Sequence, residues 1–319
     1  MTSLCVIVPI YNVEPYLEEC LDSLLHQEID DYEVILVNDG STDGSHRIID
    51  RYVAAYPEIF RAVWQENQGL SAARNTGLTY CTKEFVAFLD SDDFISENGY
   101  SAVLSAMQKD NADIGVFESV WRYPDGRQEH RPTLPPFLGE FNVRTSILSH
   151  CSANNRIFRT SLWRESGWQF PVGLWYEDLA IIPAFSTLTD RIFLYPFPLH
   201  QYRQREGSIM SRGKYSPRCM EIIPACQNVY SLLHGKGFEA ELEYLLTFQL
   251  CYYASFRFFA FQKYEEIRTC LAALAALYPH WEQNGYYKER PFLFRFYCRL
   301  LRRGHVRLAS LLAKCRGKN

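Results

Sequence analysis

The sequence predicts an α/β fold in which helices flank a parallel sheet, followed by a smaller helical region. Between Leu4 and Glu118, short apolar runs alternate with segments of helical periodicity. These runs are apolar throughout, which is typical of parallel strands covered by helices on both faces. After Pro217 the patterns are helical only. Because ligands of such sheets bind beyond the carboxyl ends of the strands, we expect the functional site there.

The strands are predicted from apolar runs whose length is that of buried strands. They are Leu4–Pro9, Tyr32–Val37, Phe60–Trp64, Phe85–Leu89 and Asp113–Glu118. The segments between them have apolar residues at helical spacing, as with Leu17, Leu21 and Leu24 in the first. These predicted helices are Pro15–His26, Ser45–Ala55, Ser71–Tyr80 and Glu97–Lys109.

Beyond the predicted sheet the pattern changes twice. From Val120 to Arg212 it breaks into short strands and loops, with Pro-rich stretches at 132–136 and 196–198. After Pro217 it becomes helical, so we predict a domain of residues 1–215 and a helical region of residues 216–319. The helices predicted in that region include Glu239–Gln262, Glu265–Leu277 and Pro291–Arg302.

Charge is distributed unevenly along the 319 residues, although the formal net charge is only -4. Residues 286–319 hold ten Lys or Arg and one acidic residue, so residues 1–285 carry a net −13. In the basic end, Arg295 and Arg299 recur at helical spacing beside apolar stripes. Such a helix fits docking on an anionic membrane surface, and a helix packed on the body with solvated arginines is the alternative. The acidic body and the lack of an interleaved binding motif exclude nucleic acid as a partner.

The expected location is the cytoplasm. No run approaches the roughly 18 apolar residues that span a bilayer, and the N-terminus lacks the features of a signal peptide. The ten cysteines include no CxxC pair, which favours reduced, buried thiols over disulfides or zinc sites. If the basic end docks on lipid, the protein would be peripheral on the inner face of the cytoplasmic membrane.

Three polar segments fall at predicted strand ends or between them. Asp90–Asp93 places three carboxylates directly after a buried strand, where a hard cation such as Mg²⁺ or Mn²⁺ would relieve their repulsion and bridge to a diphosphate. A solvated acidic turn is the alternative. Asp39 either accepts a hydrogen bond from a bound base or sugar, or belongs to a capped turn. Arg74 is either a cation near a nucleotide or its acidic neighbours, or a surface arginine.

Six segments together resemble the inverting family 2 glycosyltransferases with a GT-A fold, of the bacterial surface-polysaccharide type. They occur in the family's order over about residues 3–210, and the last hundred residues match no family that we can name. The resemblance implies a Rossmann-type mixed sheet flanked by helices. The segments are Val6–Asn12, Asn38–Asp43, Gly69–Asn75, Asp90–Asp93, Trp175–Asp178, and Tyr202–Arg205 with Ser208 and Ile209.

The resemblance implies a nucleotide-sugar site and a metal, Mn²⁺ or Mg²⁺. Asp39 matches the aspartate that contacts the base, usually uracil. Asp90 is expected near the ribose and Asp92 on the metal beneath the diphosphate, with Asp93 supporting both. The residues that this resemblance assigns to the nucleotide sugar are Pro9, Tyr11, Glu14, Asp39, Arg74, Asp90, Ser91 and Asp92.

The resemblance also implies an acceptor side. Asp178 matches the general base of the family's E-D pair, with Glu177 beside it, and a positioned carboxylate helps an attacking sugar hydroxyl to lose its proton. Other roles stay open between two readings. His200 is a metal ligand or a structural histidine, and Arg203 and Arg205 are diphosphate contacts or surface charges. Trp175 and Tyr176 form either a stacking platform for the acceptor or hydrophobic packing. Asn155 and Arg156 are expected to border the acceptor.

The function expected from this resemblance is metal-dependent transfer of a sugar, with inversion, from a UDP-sugar to a carbohydrate or lipid-linked acceptor. A sugar-phosphate nucleotidyltransferase would need a Gly-rich, Arg-containing loop after the first strand, where this chain has Ile10–Glu14. A non-catalytic carbohydrate-binding protein on this fold would have lost the carboxylates of the two acidic motifs, and both are present.

Overall fold

The computed structural model describes residues 2–205 and 215–316, with the side chains of 314–316 excepted. Ser208 and Ile209 of the sixth matching segment lie outside these ranges. The described residues form two compact units. Unit 1 runs to Leu134 and resumes over Glu140–Arg205, and unit 2 comprises Pro135–Gly139 with the residues after Arg205. The division into domains near residue 215 stays a prediction.

Unit 1 is built on one sheet, which has nine strands in the described part of the chain. Eight of them follow the order β3-β2-β1-β4-β8-β6-β9-β5, and β7 pairs with β6. The strands are β1 Ser3–Ile10, β2 Asp31–Asp39, β3 Phe60–Gln65, β4 Phe85–Phe88, β5 Phe94–Ile95, β6 Ile114–Arg122, β7 Gln128–Arg131, β8 Arg156–Arg159 and β9 Ile192–Arg203.

The sheet is mixed, as the family resemblance implied. Strands β1 to β4 pair in parallel, as their apolar runs predict. Strand β8 lies antiparallel between β4 and β6, so the fifth predicted strand is not a direct neighbour of the fourth. The wholly parallel arrangement predicted from the apolar runs is therefore wrong beyond β4.

Helices flank this sheet, and the first four begin and end within two residues of the predicted bounds. Short helices after residue 140 replace part of the region that we predicted as strands and loops. The helices of unit 1 are α1 Glu14–Leu25, α2 Ser45–Ala55, α3 Leu70–Tyr80, α4 Gly99–Lys109, α5 Val143–Ile147, α6 Thr160–Ser166 and α7 Glu177–Phe185.

The core of unit 1 lies on both faces of β1, whose eight residues are all buried. Helix α3 packs closely on this strand because Gly77 has no side chain. A Cβ atom at Gly77 would lie 2.4 Å from Cγ2 of Ile7, well inside van der Waals contact. This close packing brings the first turns of α3 to the edge of the sheet where the parallel strands end.

Unit 2 is helical, as predicted. The predicted helix over 239–262 is two α-helices joined by a π-helical segment, Phe248–Tyr253. The segment Pro135–Gly139 also belongs to unit 2, where the Phe137 ring lies 6.0 Å from that of Tyr244. Within the described ranges, no helix has the length and apolar character needed to span a bilayer. The α-helices are α8 Ile222–Leu233, α9 Glu239–Thr247, α10 Ala254–Phe259, α11 Tyr264–Leu277, α12 Gly285–Glu289, α13 Phe292–Arg302 and α14 Val306–Arg316.

Candidate active site

Arg74 is the centre of a cluster of three carboxylates in unit 1. Its side chain is only 1% exposed, so the surface arginine considered above is wrong. Nη2 donates to Oδ1 of Asp90 at 2.8 Å, and Nη1 donates to Oε1 of Glu177 at 3.0 Å and to Oδ1 of Asp178 at 2.9 Å. The guanidinium carbon lies over the Phe170 ring, 5.1 Å from its centroid. One buried cation therefore binds three acidic groups from distant parts of the sequence.

Three elements position this cluster. Arg74 is in the first turns of α3, Asp90 is the second residue after β4, and Glu177 and Asp178 begin the first turn of α7. Acidic residues in a first turn are stabilised by the positive end of the helix dipole. Tyr176, the residue before α7, adopts the left-handed conformation with φ 63°, which is uncommon for an aromatic residue.

A loop before β8 binds the other oxygens of two of these carboxylates. The backbone N–H of Ala153 donates to Oδ2 of Asp178 at 3.0 Å. The side-chain amide of Asn154 donates to Oδ2 of Asp90 at 2.7 Å. Both carboxylates are thus fixed from two sides, by Arg74 and by this loop. The Asp178 side chain remains 20% exposed, so solvent or a ligand can reach it.

The electrostatics of the cluster are unbalanced because one cation faces three carboxylates. Burial raises the pKa of Glu177 to about 7, and Asp178 adds to the rise while Arg74 opposes it. Burial also raises the pKa of Asp178, against the opposing effect of Arg74. For Arg74, burial alone would lower the pKa, but Asp178 and the other carboxylates raise it above its usual value. Arg74 is therefore charged, and it favours the ionised form of Asp178.

The two arginines at the end of β9 both reach Asp92, which was expected to hold the metal. Arg205 Nε donates to Oδ2 of Asp92 at 2.6 Å, and Arg203 Nε donates to its backbone oxygen at 2.9 Å. Both guanidinium groups also lie over the ring of Tyr16. The structure therefore brings Arg203 and Arg205 together beside Asp92.

Asp93 and His200 form a buried pair beneath this turn. The Asp93 carboxylate accepts a hydrogen bond from the backbone N–H of Arg203 at 2.9 Å, and its other oxygen lies 2.9 Å from Nε2 of His200. His200 Nδ1 lies 3.0 Å from the hydroxyl of Ser119. Both ring nitrogens of His200 are engaged by protein groups, which favours the structural alternative over the metal ligand.

The donor set for a metal ion is small. In residues 2–205 and 215–316, no three His, Cys, Asp or Glu side chains converge as a preformed metal site. Asp92 nevertheless presents a carboxylate that is 22% exposed, with Arg205 on one of its oxygens. Mg²⁺ is often bound through one or two carboxylates plus substrate phosphates rather than by an all-protein cage. The residues present therefore fit a metal that a diphosphate helps to hold.

Asp39, at the end of β2, is buried and holds the loop before α3. Its Oδ1 accepts from the side-chain amide of Gln65 at 2.7 Å and from the backbone N–H of Gln68 at 2.9 Å. Its Oδ2 accepts from the N–H of Gly69 at 2.8 Å. A carboxylate offers about four lone-pair sites, so Asp39 retains capacity for one further donor.

The loops after β1 and β2 are joined by hydrogen bonds. The Asn12 side chain accepts from the N–H of Thr42 at 2.8 Å, and Glu14 accepts from the N–H of Gly44 at 2.8 Å. The Glu14 carboxylate thus fastens these loops together. Of the other residues expected at the nucleotide, Tyr11 is 49% exposed beside them, whereas Pro9 and Ser91 are buried.

Two residues that were expected to border the acceptor are buried. Asn155 donates to the backbone oxygen of Phe117 at 3.1 Å and to the hydroxyl of Thr133 at 3.0 Å. The side chain of Arg156 is fully buried. The prediction that they border the acceptor is wrong for both side chains, because each points into the protein. Trp175 and Tyr176 are partly exposed next to Glu177, so the acceptor platform stays a prediction.

Asn154 is the residue of this cluster that the sequence interpretation missed. It precedes the Asn155-Arg156 pair that was singled out, and its amide rather than that of Asn155 reaches Asp90. The residues before β8 lie in a loop with no periodicity, so the sequence pattern did not indicate which of two adjacent asparagines faces the site. The only sequence feature that pointed to this place was that both asparagines come shortly before an apolar pair of residues.

Comparison with known proteins identifies the family. The profile described as "Glycosyl transferase family 2" matches residues 5–167, about half of the chain. Glycosyltransferase GlyG of Streptococcus pneumoniae serotype 4 is 31% identical over 220 residues, which are 64% of this chain and 72% of GlyG. The uncharacterized glycosyltransferase EpsJ of Bacillus subtilis is 43% identical over 143 residues, 44% of this chain. The chain covers 39% of the length of EpsJ.

The fold is shared with a solved structure. S. aureus TarS 1-349 in complex with UDP superposes with a TM-score of 0.74 at 20% sequence identity, covering 99% of this chain and 92% of that one. The fold of this chain thus has a known counterpart. On the profile match and the coverage of GlyG, the chain belongs to glycosyl transferase family 2.

Proposed function

We propose that this protein is a metal-dependent, inverting glycosyltransferase. It would move a sugar from a UDP-sugar to a hydroxyl group of a carbohydrate or lipid-linked saccharide acceptor in surface polysaccharide synthesis. The observation that carries the proposal is the pairing of Asp90 and Asp178 on the buried cation Arg74. Membership of the family supports the reaction class, and the UDP named in the TarS complex supports the choice of donor.

In this proposal Asp178 is the general base. The acceptor hydroxyl gives its proton to the Asp178 carboxylate while its oxygen forms a bond to the anomeric carbon of the donor. The bond between that carbon and the diphosphate oxygen breaks, and the diphosphate leaves with the electron pair. A single displacement of this kind inverts the anomeric configuration. Arg74 and the N–H of Ala153 keep Asp178 oriented and ionised, which a base requires.

The opposite side of the site would bind the leaving group. Asp92 would hold the Mn²⁺ or Mg²⁺ ion, which when bound neutralises the charge that develops on the diphosphate. Arg203 and Arg205 place two cations beside the same turn and would add to that stabilisation. Asp90, Asp39 and Tyr11 would bind the nucleoside, with Asp39 using its remaining lone pair.

The test measures UDP release and sugar transfer with a panel of UDP-sugars and Mn²⁺. Asp178→Asn should bind UDP-sugar with nearly unchanged affinity but lose transfer, because the amide cannot accept the proton. Asp92→Ala should weaken the Mn²⁺-dependent part of donor binding. Asp190→Asn is the control, because Asp190 is exposed and lies outside the carboxylate cluster.

The outcomes separate the candidate functions. Transfer by Asp178→Asn at the wild-type rate would show that another group is the base. Formation of a UDP-sugar and pyrophosphate from UTP and a sugar 1-phosphate, with no release of UDP from UDP-sugars, would indicate the nucleotidyltransferase reaction. Donor binding without turnover in the wild type, over the whole panel, would indicate a non-catalytic binding protein.

We also propose that unit 2 docks on an anionic membrane surface through α13 and α14. On α13, Phe292, Phe296 and Arg299 follow helical spacing i, i+4 and i+7, so they share a face, and the two rings stack with centroids 5.8 Å apart. Exposed apolar side chains beside basic ones match the chemistry of a lipid interface. The large apolar side chains exposed on the two helices are Phe292, Leu293, Phe296, Leu308, Leu311 and Leu312.

Point substitutions test this surface better than deletion, since residues such as Phe294 and Leu301 on α13 are buried in unit 2. Phe292→Ser with Phe296→Ser should reduce sedimentation with phosphatidylglycerol-containing liposomes at low salt. Phe193→Ser with Phe197→Ser is the matched control, because these aromatic residues are also exposed but lie in unit 1. Equal sedimentation of the α13 variant and the wild type would contradict the docking proposal.

A further inference from the structure

Arg156 is a buried cation whose hydrogen bonds all go to neutral groups. Its Nη1 donates to the backbone oxygen of Ser152 at 2.5 Å and to Oδ1 of Asn155 at 2.6 Å. Its Nη2 donates to the hydroxyl of Ser149 at 3.1 Å and to the backbone oxygen of His150 at 3.0 Å. The side chain is fully buried, and its hydrogen-bonded partners lie in one loop, residues 149–155.

Such an arrangement is costly unless the charge serves a purpose. A buried ion normally has a partner of opposite charge, because desolvation of an uncompensated ion is expensive. Burial lowers the pKa of Arg156 to about 10, which leaves it charged at neutral pH. Among its neighbours the Cys151 thiol raises the pKa of Arg156 most, and the carboxylate of Asp178, on the other side of the loop, raises it next. The loop therefore separates a buried cation from the carboxylate that balances it.

The same loop supplies both hydrogen bonds that fix the site carboxylates from the side opposite Arg74. Ala153 donates its N–H to Asp178, and Asn154 donates its amide to Asp90. Both residues lie between Ser152 and Asn155, which Arg156 holds through Nη1. Movement of the loop would therefore move the donors of both carboxylates.

We propose that Arg156 is a positioning residue for the reaction, which holds the 149–155 loop in place and keeps Asp178 oriented and ionised through it. The inference rests on the proposed role of Asp178 as the base. Arg156 touches neither substrate nor reacting atoms in this proposal. Its guanidinium fork matches the four acceptors of the loop, and its charge acts on Asp178 across the Ala153 peptide.

The electrostatic part of this role involves every charged or titratable group facing Asp178. Burial raises the pKa of Asp178, Arg74 lowers it, and Asp90 raises it. The N–H of Ala153 and the charge of Arg156 both lower it, while Glu177 and the Cys151 thiol also face the carboxylate. Removing the charge of Arg156 should raise the pKa of Asp178 and shift the acid limb of the pH–rate profile to higher pH.

The test compares Arg156→Gln and Arg156→Lys in the full chain. Arg156→Gln removes both the positive charge and the planar guanidinium group with its paired donors. We therefore expect kcat to fall about 10- to 100-fold, as for a misplaced catalytic group, and the acid limb of the pH–rate profile to move to higher pH. Arg156→Lys keeps the positive charge but lacks the planar guanidinium group. We therefore expect kcat to fall while the acid limb of the pH–rate profile stays in place. Arg127→Gln is the control, because Arg127 is exposed and lies on a turn outside the site.

Each outcome decides the proposal. Wild-type kcat in either variant, or a lower kcat in Arg156→Gln with an unmoved acid limb, would overturn it and leave Arg156 as a loop anchor only. If Arg156→Gln fails to fold, Arg156→Lys carries the test, with wild-type kcat as the refuting result. An inactive wild type overturns the proposed function, whereas an active wild type with an unaffected Arg156→Gln overturns this inference alone.

Discussion

Arg74→Gln tests the idea that one buried cation stabilises the carboxylate cluster. The wild-type guanidinium makes three charge-assisted hydrogen bonds from a side chain that is 1% exposed. Glutamine can keep at most part of this bonding and none of the charge. The variant would leave Asp90, Glu177 and Asp178 close together with no cation between them, in surroundings that already raise the pKa of Glu177 and Asp178.

The magnitude follows from the burial of the pair. Removing one partner of a buried ion pair costs about 3–5 kcal/mol of unfolding free energy. In a unit of about 200 residues, each kcal/mol lowers the melting temperature by about 2–4 °C, so we expect a fall of about 6–20 °C at pH 8. The exposed Arg127–Asp125 pair is the comparison, because breaking a surface pair costs about 0–1 kcal/mol.

The loss of stability should depend on pH. Without Arg74, burial holds the folded-state pKa values of Asp178 and Glu177 above their unfolded values. Groups of this kind contribute stability that is present below the unfolded pKa and is lost as the pH rises through the folded pKa. The difference between wild type and Arg74→Gln should therefore be smaller at pH 5 than at pH 8.

Thermal melts at pH 8 measure the fall in melting temperature for Arg74→Gln, Arg127→Gln and the wild type, and urea denaturation at pH 5 and pH 8 measures how their unfolding free energies depend on pH. The reasoning fails if Arg74→Gln is as stable as Arg127→Gln at pH 8. It also fails if the loss of stability is the same at both pH values, because the three carboxylates would then not be the cause.

Two further predictions concern packing and acid stability. Gly77→Ala should destabilise unit 1 by about 1–3 kcal/mol, since the new methyl group overlaps Ile7, whereas Gly285→Ala, with open space around it, should be neutral in the same thermal melts. Asp113 is buried, and despite that burial its bonds to Arg191, Thr189 and Arg159 hold its pKa below the usual value. The stability that the ionised Asp113 contributes through these bonds is present above its unfolded-state pKa and is lost as the pH falls. Asp113→Asn should therefore flatten the decline in stability of unit 1 below pH 4.

The fold could be predicted from the sequence where the pattern is long and local. The predicted helix Ser45–Ala55 coincides with α2, and the run at the N-terminus gave β1 to within a residue at each end. Strand β8 could not be predicted in the same way, because Arg156–Arg159 has only two apolar residues between charged ones. Its antiparallel place between β4 and β6 depends on pairing with distant residues, which no local pattern encodes.

The candidate site shows the same division. The acidic run at 90–93 could be recognised because its residue types are unusual directly after a predicted strand, whereas the pair at 177–178 was indicated by the family resemblance alone. The pairing of Arg74 with Asp178 could not be predicted, since the two residues are 104 positions apart in the chain. The family resemblance implied that Arg156 borders the acceptor, and nothing in the local sequence indicated that its side chain is buried, because that burial follows only from the loop that surrounds it.

Pro135–Gly139 packs with helices that are synthesised much later. Phe137 leaves the ribosome about 100 residues before Tyr244, its ring partner, a delay of about 5–20 s at ordinary rates of synthesis. Until α9 emerges, this segment is a loop of the nascent chain without its partner ring. We therefore expect chymotrypsin to cut at Phe137 in stalled chains that end before α9, and to spare that position once α9 has left the ribosome.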